Sequence, residues 1–228
     1  MALETVEKQK ANFRQWGILG DWEKAYRTLD PAYEVKQLDI FWHMFRSGLI
    51  YTKCKPVYWS PSMRTALAEA ELEYKDDHVS RSAYVRMKLV GDGVPDNAYA
   101  LIWTTTPWTL PANQAIAVHA TMEYVLARAG NEAIYLVARN RLKDLEDIVS
   151  PRSSLEVVSL IQGQQVASRW KYVHPFVNTD AKPIITADFV TDDSGTGLVH
   201  TASGHGMEDY DAGLSLGLEP FSPGMYFL

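Results

Sequence analysis

The hydrophobic period of this chain changes at Lys55-Pro56, and that switch limits the architectures open to it. Before it, apolar residues recur at helical spacing. Leu3, Val6 and Phe13 fall on one face of a first helix, expected to end near Gly17. Asp30-Pro31 offers an N-cap followed by proline at the first helical position, where a missing N–H costs nothing. Behind it Val35, Leu38, Phe41, Trp42, Phe45 and Leu49 keep the helical period, and Gly48 is placed to close that helix. Residues 1–54 therefore read as a helical stem that packs on something larger, leading into a second domain over residues 55–228.

After the switch, alternation dominates. Ala68, Ala70, Leu72 and Tyr74 alternate with Glu69, Glu71 and Glu73, which predicts a strand with one solvated acidic face despite the helix propensity of Ala and Glu. Ala83, Val85, Met87 and Leu89 alternate again. Residues 99–104, 115–118, 124–129 and 134–137 follow as strands, the last two flanking a Gly130-Asn131 hairpin signal. Residues 140–148 read as a short helix. Residues 155–160 and 182–190 read as strands, the latter before a turn-rich stretch at 192–197. Many short strands with one or two helices predict an α+β fold, a barrel-like domain preceded by the helical stem.

Composition narrows the partners. The formal net charge is −6, whereas a protein that holds nucleic acid mainly by neutralising phosphates is expected to be basic. Any contact with RNA is therefore local, or leans on parts of a larger protein. The single cysteine, Cys54, excludes an internal disulfide and argues against structural zinc. No apolar run reaches the ~18 residues of a membrane span, so no membrane partner is expected. Residues 1–10 have neither a signal peptide's apolar core nor the Arg-rich, acid-poor character of a transit peptide.

Two segments carry chemistry. Residues 103–113, Trp-Thr-Thr-Thr-Pro-Trp-Thr-Leu-Pro-Ala-Asn, put short hydroxyls on a backbone that leaves its strand at Pro107, into a loop or sheet edge. Hydroxyls donate and accept, which suits holding a water, an ester and a ribose together. Read blandly, the same residues are a Thr-rich strand running into a proline turn. Residues 195–210 gather His200, His205, Glu208 and Asp209 among glycines that let a ligand approach the backbone. That set fits a metal site, an acid–base site, or first-turn acids at a helix starting near Met207.

Together these segments resemble the editing insertion of class I aminoacyl-tRNA synthetases, and within that group the isoleucyl enzymes. The threonine-rich signature stands at residues 103–113. The second signature, with its Gly-Thr-Gly, His-Thr-Ala, Gly-His-Gly and Asp-Tyr, stands at 195–210. A third match begins at Pro56-Val57-Tyr58-Trp59-Ser60-Pro61 and continues through residues 64–74, and Gly20-Asp21-Trp22 and Tyr33-Glu34 resemble the stretch leading in. Valyl and leucyl relatives carry Thr-Thr-Arg-Pro where this chain has Thr-Thr-Thr-Pro. Three departures stand out. Ser203 replaces a usual proline, which is expected to loosen the loop carrying His205. Ser60 and Met63 lie where many bacterial relatives have a Cys-x-x-Cys knuckle, so no zinc is expected. This form, with His78-Val79-Ser80-Arg81-Ser82, is more similar to mitochondrial enzymes. Finally, Pro223-Gly224-Met225-Tyr226 does not match the family's usual continuation.

The resemblance implies hydrolysis of the ester joining valine to the 3′-terminal ribose of isoleucine tRNA. Neither amino-acid activation signature is present, so ATP and magnesium belong to a catalytic domain outside this chain and no cofactor is expected within it. Implied as catalytic are Asp209, holding the substrate α-ammonium, His200, as pocket wall or as polariser of water, and Thr106. Implied as substrate-binding are Thr104, Thr105 and Thr109, with Asn113 supporting the loop, His205 shaping its glycine turn and Trp108 as pocket wall. The implied partners are the 3′ end of tRNA(Ile) carrying valine and the remainder of a monomeric synthetase, in the mitochondrial matrix or alternatively the cytoplasm. Two other readings stay open: a folded module that docks tRNA without hydrolysis, and an unrelated metal-dependent hydrolase using His200, His205 and Asp209.

Overall fold

Both N-terminal helices form where the apolar spacing predicts them, α1 over Ala2–Gln15 and α2 over Pro31–Arg46. They close alike. Gly17 and Ile18 donate to Arg14 and Phe13 carbonyls at 3.1 Å, and Gly48 and Leu49 donate to Phe45 and Met44 at 3.0 Å. Pro31 takes the first helical position as read from the sequence, but the Asp30 carboxylate does not cap. It pairs with Arg27 at 3.0 Å instead, leaving its own carbonyl to accept from Tyr33 and Glu34. No residue of either helix is buried, and the apolar stripe of α2 stands open, with Leu38 67% and Trp42 52% exposed.

The computed structural model describes residues 1–130, 133–149, 154–177 and 180–221. It divides into two units, Met1–Lys53 and Cys54–Leu228. Asn131 of the hairpin signal and the tail at 223–226 lie outside the described residues.

The second unit starts with a small antiparallel hairpin unforeseen in the sequence, β1 (Tyr58–Ser60) with β2 (Thr65–Leu67). The strand expected around residues 68–74 is absent. Glu69–Glu71 form a 3₁₀ turn instead, and the Glu71 carboxylate accepts from the Ala68 N–H at 2.8 Å. Alternation there had no buried face to enforce it: every residue but Leu72 is exposed, so local Ala/Glu propensity decides.

The remaining strands are β3 (Ala83–Gly91), β4 (Ala98–Thr104), β5 (Ala115–Val118), β6 (Glu123–Ala129), β7 (Ala133–Ala138), β8 (Leu155–Gln162), β9 (Trp170–Val173), β10 (Lys182–Thr186) and β11 (Val199–Thr201). Among the described residues they form one mixed sheet in the order β11-β5-β10-β9-β3-β4-β7-β6-β8. The α+β class is as expected, although the ladder does not close into a ring. The sheet rolls, so that its edge strand β11 comes back against β4. Inside the roll lie Met87, Leu89, Ile102, Ile116, Leu136 and Tyr172, all essentially inaccessible to solvent. β10 ends four residues earlier than its apolar run predicts, because the chain turns at Ala187, whose carbonyl accepts from Val190.

Three helices complete the unit: α3 (Leu142–Val149), α4 (Gly163–Arg169) and α5 (Met207–Ser215). Helix α3 covers part of the outer sheet face by burying Leu145 against Leu101, Val125 and Val137. No strong apolar period marks α4, β9 or β11, and they join the β1–β2 hairpin as elements unread in the sequence.

Candidate active site

The two chemistry-bearing segments meet. β4 runs centrally through the sheet and delivers Thr104 at its end, where Thr106 caps a 3₁₀ helix over Pro107–Ala112. The segment after Thr106 is thus a tight helix with proline at its first position rather than an open loop. On the other side β11 pairs with β5, setting His200 opposite Ile116, and α5 begins six residues beyond β11. Thr104, Thr105, Thr106 and Thr109 then face His200, His205 and Asp209 across a cleft of about 290 Å³ floored by Gly195–Leu198 and walled by Trp103.

The threonines are not equivalent. Thr104 Oγ accepts from the Thr106 N–H at 3.1 Å, and the two hydroxyls lie 3.3 Å apart. Thr109 is buried and its hydroxyl donates to the Thr106 carbonyl at 2.8 Å. Thr105 is exposed at the rim.

His200 is buried, and both its ring nitrogens are engaged. Nδ1 lies 2.8 Å from the Asn113 amide nitrogen, and Nε2 lies 2.9 Å from the Thr109 hydroxyl. The orientation of Asn113 is fixed independently, since Nδ2 also donates to the Ala115 carbonyl at 2.9 Å and Oδ1 accepts from the Tyr172 hydroxyl at 2.5 Å. An amide nitrogen only donates, so His200 Nδ1 carries a lone pair and the proton sits on Nε2, donated to Thr109. Burial foremost, then the charges of His174, His205 and Lys182, pushes the His200 pKa down to about 4. The ring is neutral at pH 7 and has no lone pair to spare for water or a metal. It is a wall.

That arrangement has a pH signature. With the folded pKa near 4 and the unfolded value near 6.5, the unfolded chain takes up a proton before the folded one does. Stability contributed through His200 is therefore full above pH 6.5 and is lost as pH falls from 6.5 to 4. The shift corresponds to roughly 3 kcal/mol. Urea unfolding at pH 7 and pH 4.5 should show this loss in the wild type and a smaller one in His200→Gln.

Asp209 lies half-buried in the first turn of α5, and its Oδ2 accepts from the Ala202 N–H at 2.9 Å. Burial foremost, with Glu208 adding repulsion, raises its pKa, while the Ala202 bond opposes the rise. His205 stands at the mouth of the cleft, largely exposed, and partial desolvation by the cleft walls lowers its pKa. Glu208 points to solvent and does not line the cleft.

Two residues singled out from the sequence lie elsewhere. Trp108 is 66% exposed on the 3₁₀ helix and does not line the cleft; its neighbour Trp103 forms the wall. Asn113 is buried behind His200 and also does not reach the cleft. Ser203 does not loosen its loop. It is buried, and its hydroxyl donates to the Gln114 side chain, which also donates to the Glu219 carbonyl at 2.9 Å.

Supporting residues escaped the sequence reading because each is an isolated polar side chain. Tyr172 and Lys182 grip Asn113, the lysine donating to its main-chain carbonyl. His174 Nε2 donates to the Leu110 carbonyl at 2.9 Å, and its Nδ1 accepts from Phe176 and Val177, holding the 3₁₀ helix from behind. Arg141 donates to the carbonyls of Gly195 and Asp193 at 3.1 and 3.2 Å and clasps the glycine floor. Gly195 and Gly197 both have positive φ, +65° and +75°. A Cβ would sit 2.9 Å from the Trp103 ring at the first and 2.3 Å from Ala138 Cβ at the second. The Gly-Thr-Gly is required by geometry.

This fold and site define the class. The family described as tRNA synthetases class I (I, L, M and V) matches residues 1–169, and the chain belongs to it. Within the class the similarity is to isoleucine–tRNA ligases. That of Carboxydothermus hydrogenoformans is 47% identical over 94% of this chain, and the chloroplastic/mitochondrial ligase of Arabidopsis thaliana is 41% identical over 97%. The chain spans 23% of the length of each, in the editing region. The crystal structure of GlLeuRS-CP1 shares the fold, with a TM-score of 0.52 at 16% identity over 60% of each chain. Among the described residues no three His, Cys, Asp or Glu side chains are grouped to hold a metal ion.

Proposed function

We propose that the cleft hydrolyses the ester joining valine to the 3′-terminal ribose of tRNA(Ile), as the proofreading site of an isoleucine–tRNA ligase. The observation that carries this reading is the convergence of a half-buried carboxylate, paired threonine hydroxyls and a locked neutral imidazole on one small cleft. A carboxylate matches the α-ammonium that survives in the ester. The Thr104 and Thr106 hydroxyls hold the attacking water, whose oxygen adds to the ester carbonyl as the ribose oxygen departs with a proton. An aminoacyl ester is already activated, so positioning suffices and no side-chain nucleophile is needed.

His200 supplies discrimination. One methylene is worth only about 1–3 kcal/mol in a binding pocket, isoleucine against valine in this enzyme family being the established example, so a second and smaller site must remove the wrong product. A ring held at both nitrogens does not give way to the larger side chain.

The deciding measurement is deacylation of Val-tRNA(Ile) and Ile-tRNA(Ile) side by side by the full-length protein. Valine should be released at least about tenfold faster, and activity should fall on the acid side as Asp209 protonates, above the ordinary carboxylate range. Intact Val-tRNA with unimpaired tRNA binding would make the domain a docking module instead. We assign the full-length protein to the mitochondrial matrix on Ser60 and Met63, which stand in place of a zinc knuckle, a reading that imaging of the tagged protein tests.

A further inference from the structure

The outer face of the sheet carries a strip of cations with no carboxylate in ion-pair range among the described residues. In β3 the side chains alternate, Met87 and Leu89 inward, Tyr84, Arg86 and Lys88 outward. Register extends this face sideways: Val90 stands opposite Lys171 of β9, Lys88 opposite Tyr99 of β4, and Tyr99 opposite Tyr135 of β7. Arg86 and Lys88 both lie over the Tyr99 ring, each 5.2 Å from its centre, and Tyr135 packs beside it at 6.5 Å. Arg86 and Lys171 are exposed and Lys88 half-exposed.

Some cations elsewhere in the chain are neutralised by a carboxylate beside them. Lys10, Lys24, Arg27, Arg139 and Arg141 all have carboxylate partners within 4 Å. Among the described residues Arg86, Lys88 and Lys171 form no ion pair. An aromatic ring gathers two of them without neutralising them. In a chain of net charge −6, three uncompensated cations on one sheet face are a local reversal of sign.

The strip also has a direction. Tyr84 lies at its far end, with its ring 6.4 Å from that of Trp103, and Trp103 is the wall of the cleft. From Tyr84 to the level of Lys171 is six residues of strand, about 20 Å. We propose that this strip is the track for the single-stranded 3′ end of tRNA, its phosphates lying against Arg86, Lys88 and Lys171 while the terminal aminoacyl ester sits in the cleft. The inference rests on the proposed function for the identity of the RNA. Charge complementarity and continuity with the cleft choose the occupant.

The test uses the full-length protein carrying Arg86→Gln, Lys88→Gln and Lys171→Gln together. Binding of uncharged tRNA is measured across a salt series, and hydrolysis is measured on Val-tRNA and on a valyl ester of adenosine. The triple variant should bind tRNA about tenfold more weakly and show a salt slope shallower by about 2, the share of three single-strand phosphate contacts. KM for Val-tRNA should rise about tenfold with kcat unchanged. Hydrolysis of the adenosine ester, which has no strand to hold, should stay at the wild-type level and so report an intact cleft. Wild-type affinity and salt slope in the triple variant would overturn the proposal. Because uncharged tRNA is bound and not hydrolysed, that result is independent of whether the wild type deacylates Val-tRNA, which decides the proposed function separately.

Discussion

Replacing Asp209 by alanine should lower kcat/KM for Val-tRNA deacylation by roughly 10- to 100-fold, the worth of one charge-assisted hydrogen bond to a group that remains in the substrate. The carboxylate has two duties in the structure. It faces the cleft, and its Oδ2 receives the Ala202 N–H at 2.9 Å, tying α5 to the end of β11. Asp209→Asn separates them, since the amide oxygen can still accept from Ala202 while the charge is gone. An asparagine variant as inactive as the alanine one places the loss in ammonium binding; a nearly active one would make Asp209 a loop support and sink the assigned role. Glu208 stands next in sequence but points to solvent, so Glu208→Ala should change the rate by less than about twofold. Steady-state deacylation with the three variants decides this.

A large stability effect is expected at Gly197. Its φ of +75° disfavours any side chain by about 1–2 kcal/mol. A Cβ placed 2.3 Å from Ala138 Cβ must also displace packed sheet, which adds about 1–3 kcal/mol. Gly197→Ala should therefore cost about 2–5 kcal/mol by denaturant unfolding, a large part of the ~5–15 kcal/mol typical of a domain. Gly93 isolates the packing part: its φ is +73°, but nothing lies within 4 Å of a Cβ there. Equal losses in Gly93→Ala and Gly197→Ala would mean that the contact with Ala138 carries no cost. The carbonyl of Gly197 also accepts from the buried Tyr124 hydroxyl at 2.8 Å, so a shift of this residue should disturb the cleft floor and reduce deacylation together with stability.

A fully buried apolar run was the most legible kind of strand. β5, four consecutive buried residues of apolar type, was legible to the residue at both ends. Residues 68–74 misled because their alternation meets solvent on both sides, which leaves period without consequence. β11 was hidden inside a motif dense in glycine, although His200 owes its position to that strand. In the site, the threonines and the His/Asp segment were visible because chemistry concentrated them in short stretches. The scaffold behind them was not. Asn113 and His200 are 87 residues apart and Tyr172 is 59 from Asn113, so no local pattern could link them. The role of His200, open from sequence as wall or water polariser, was narrowed by the Asn113 amide, one hydrogen of which occupies Nδ1. Trp108 and Trp103 could not be told apart by residue type; only the turn into the 3₁₀ helix sends one to solvent and the other to the cleft.

The hydrogen bond between Thr109 and His200 spans 91 positions of chain. Closing so long a loop carries an entropic cost that nearby contacts do not offset until the sheet has rolled and β11 has reached β5. The cleft thus belongs to no local folding unit: neither the threonine arm nor the histidine arm holds a partial version of it. The proposed deacylation should consequently behave as a gauge of completed folding, appearing in a refolding time course only with the last cooperative step and vanishing with the first in denaturant. Nascent chain still lacking β11 would lack the assembled cleft, and a protease cut that frees β11 from β5 should abolish the proposed deacylation even with every cleft residue retained.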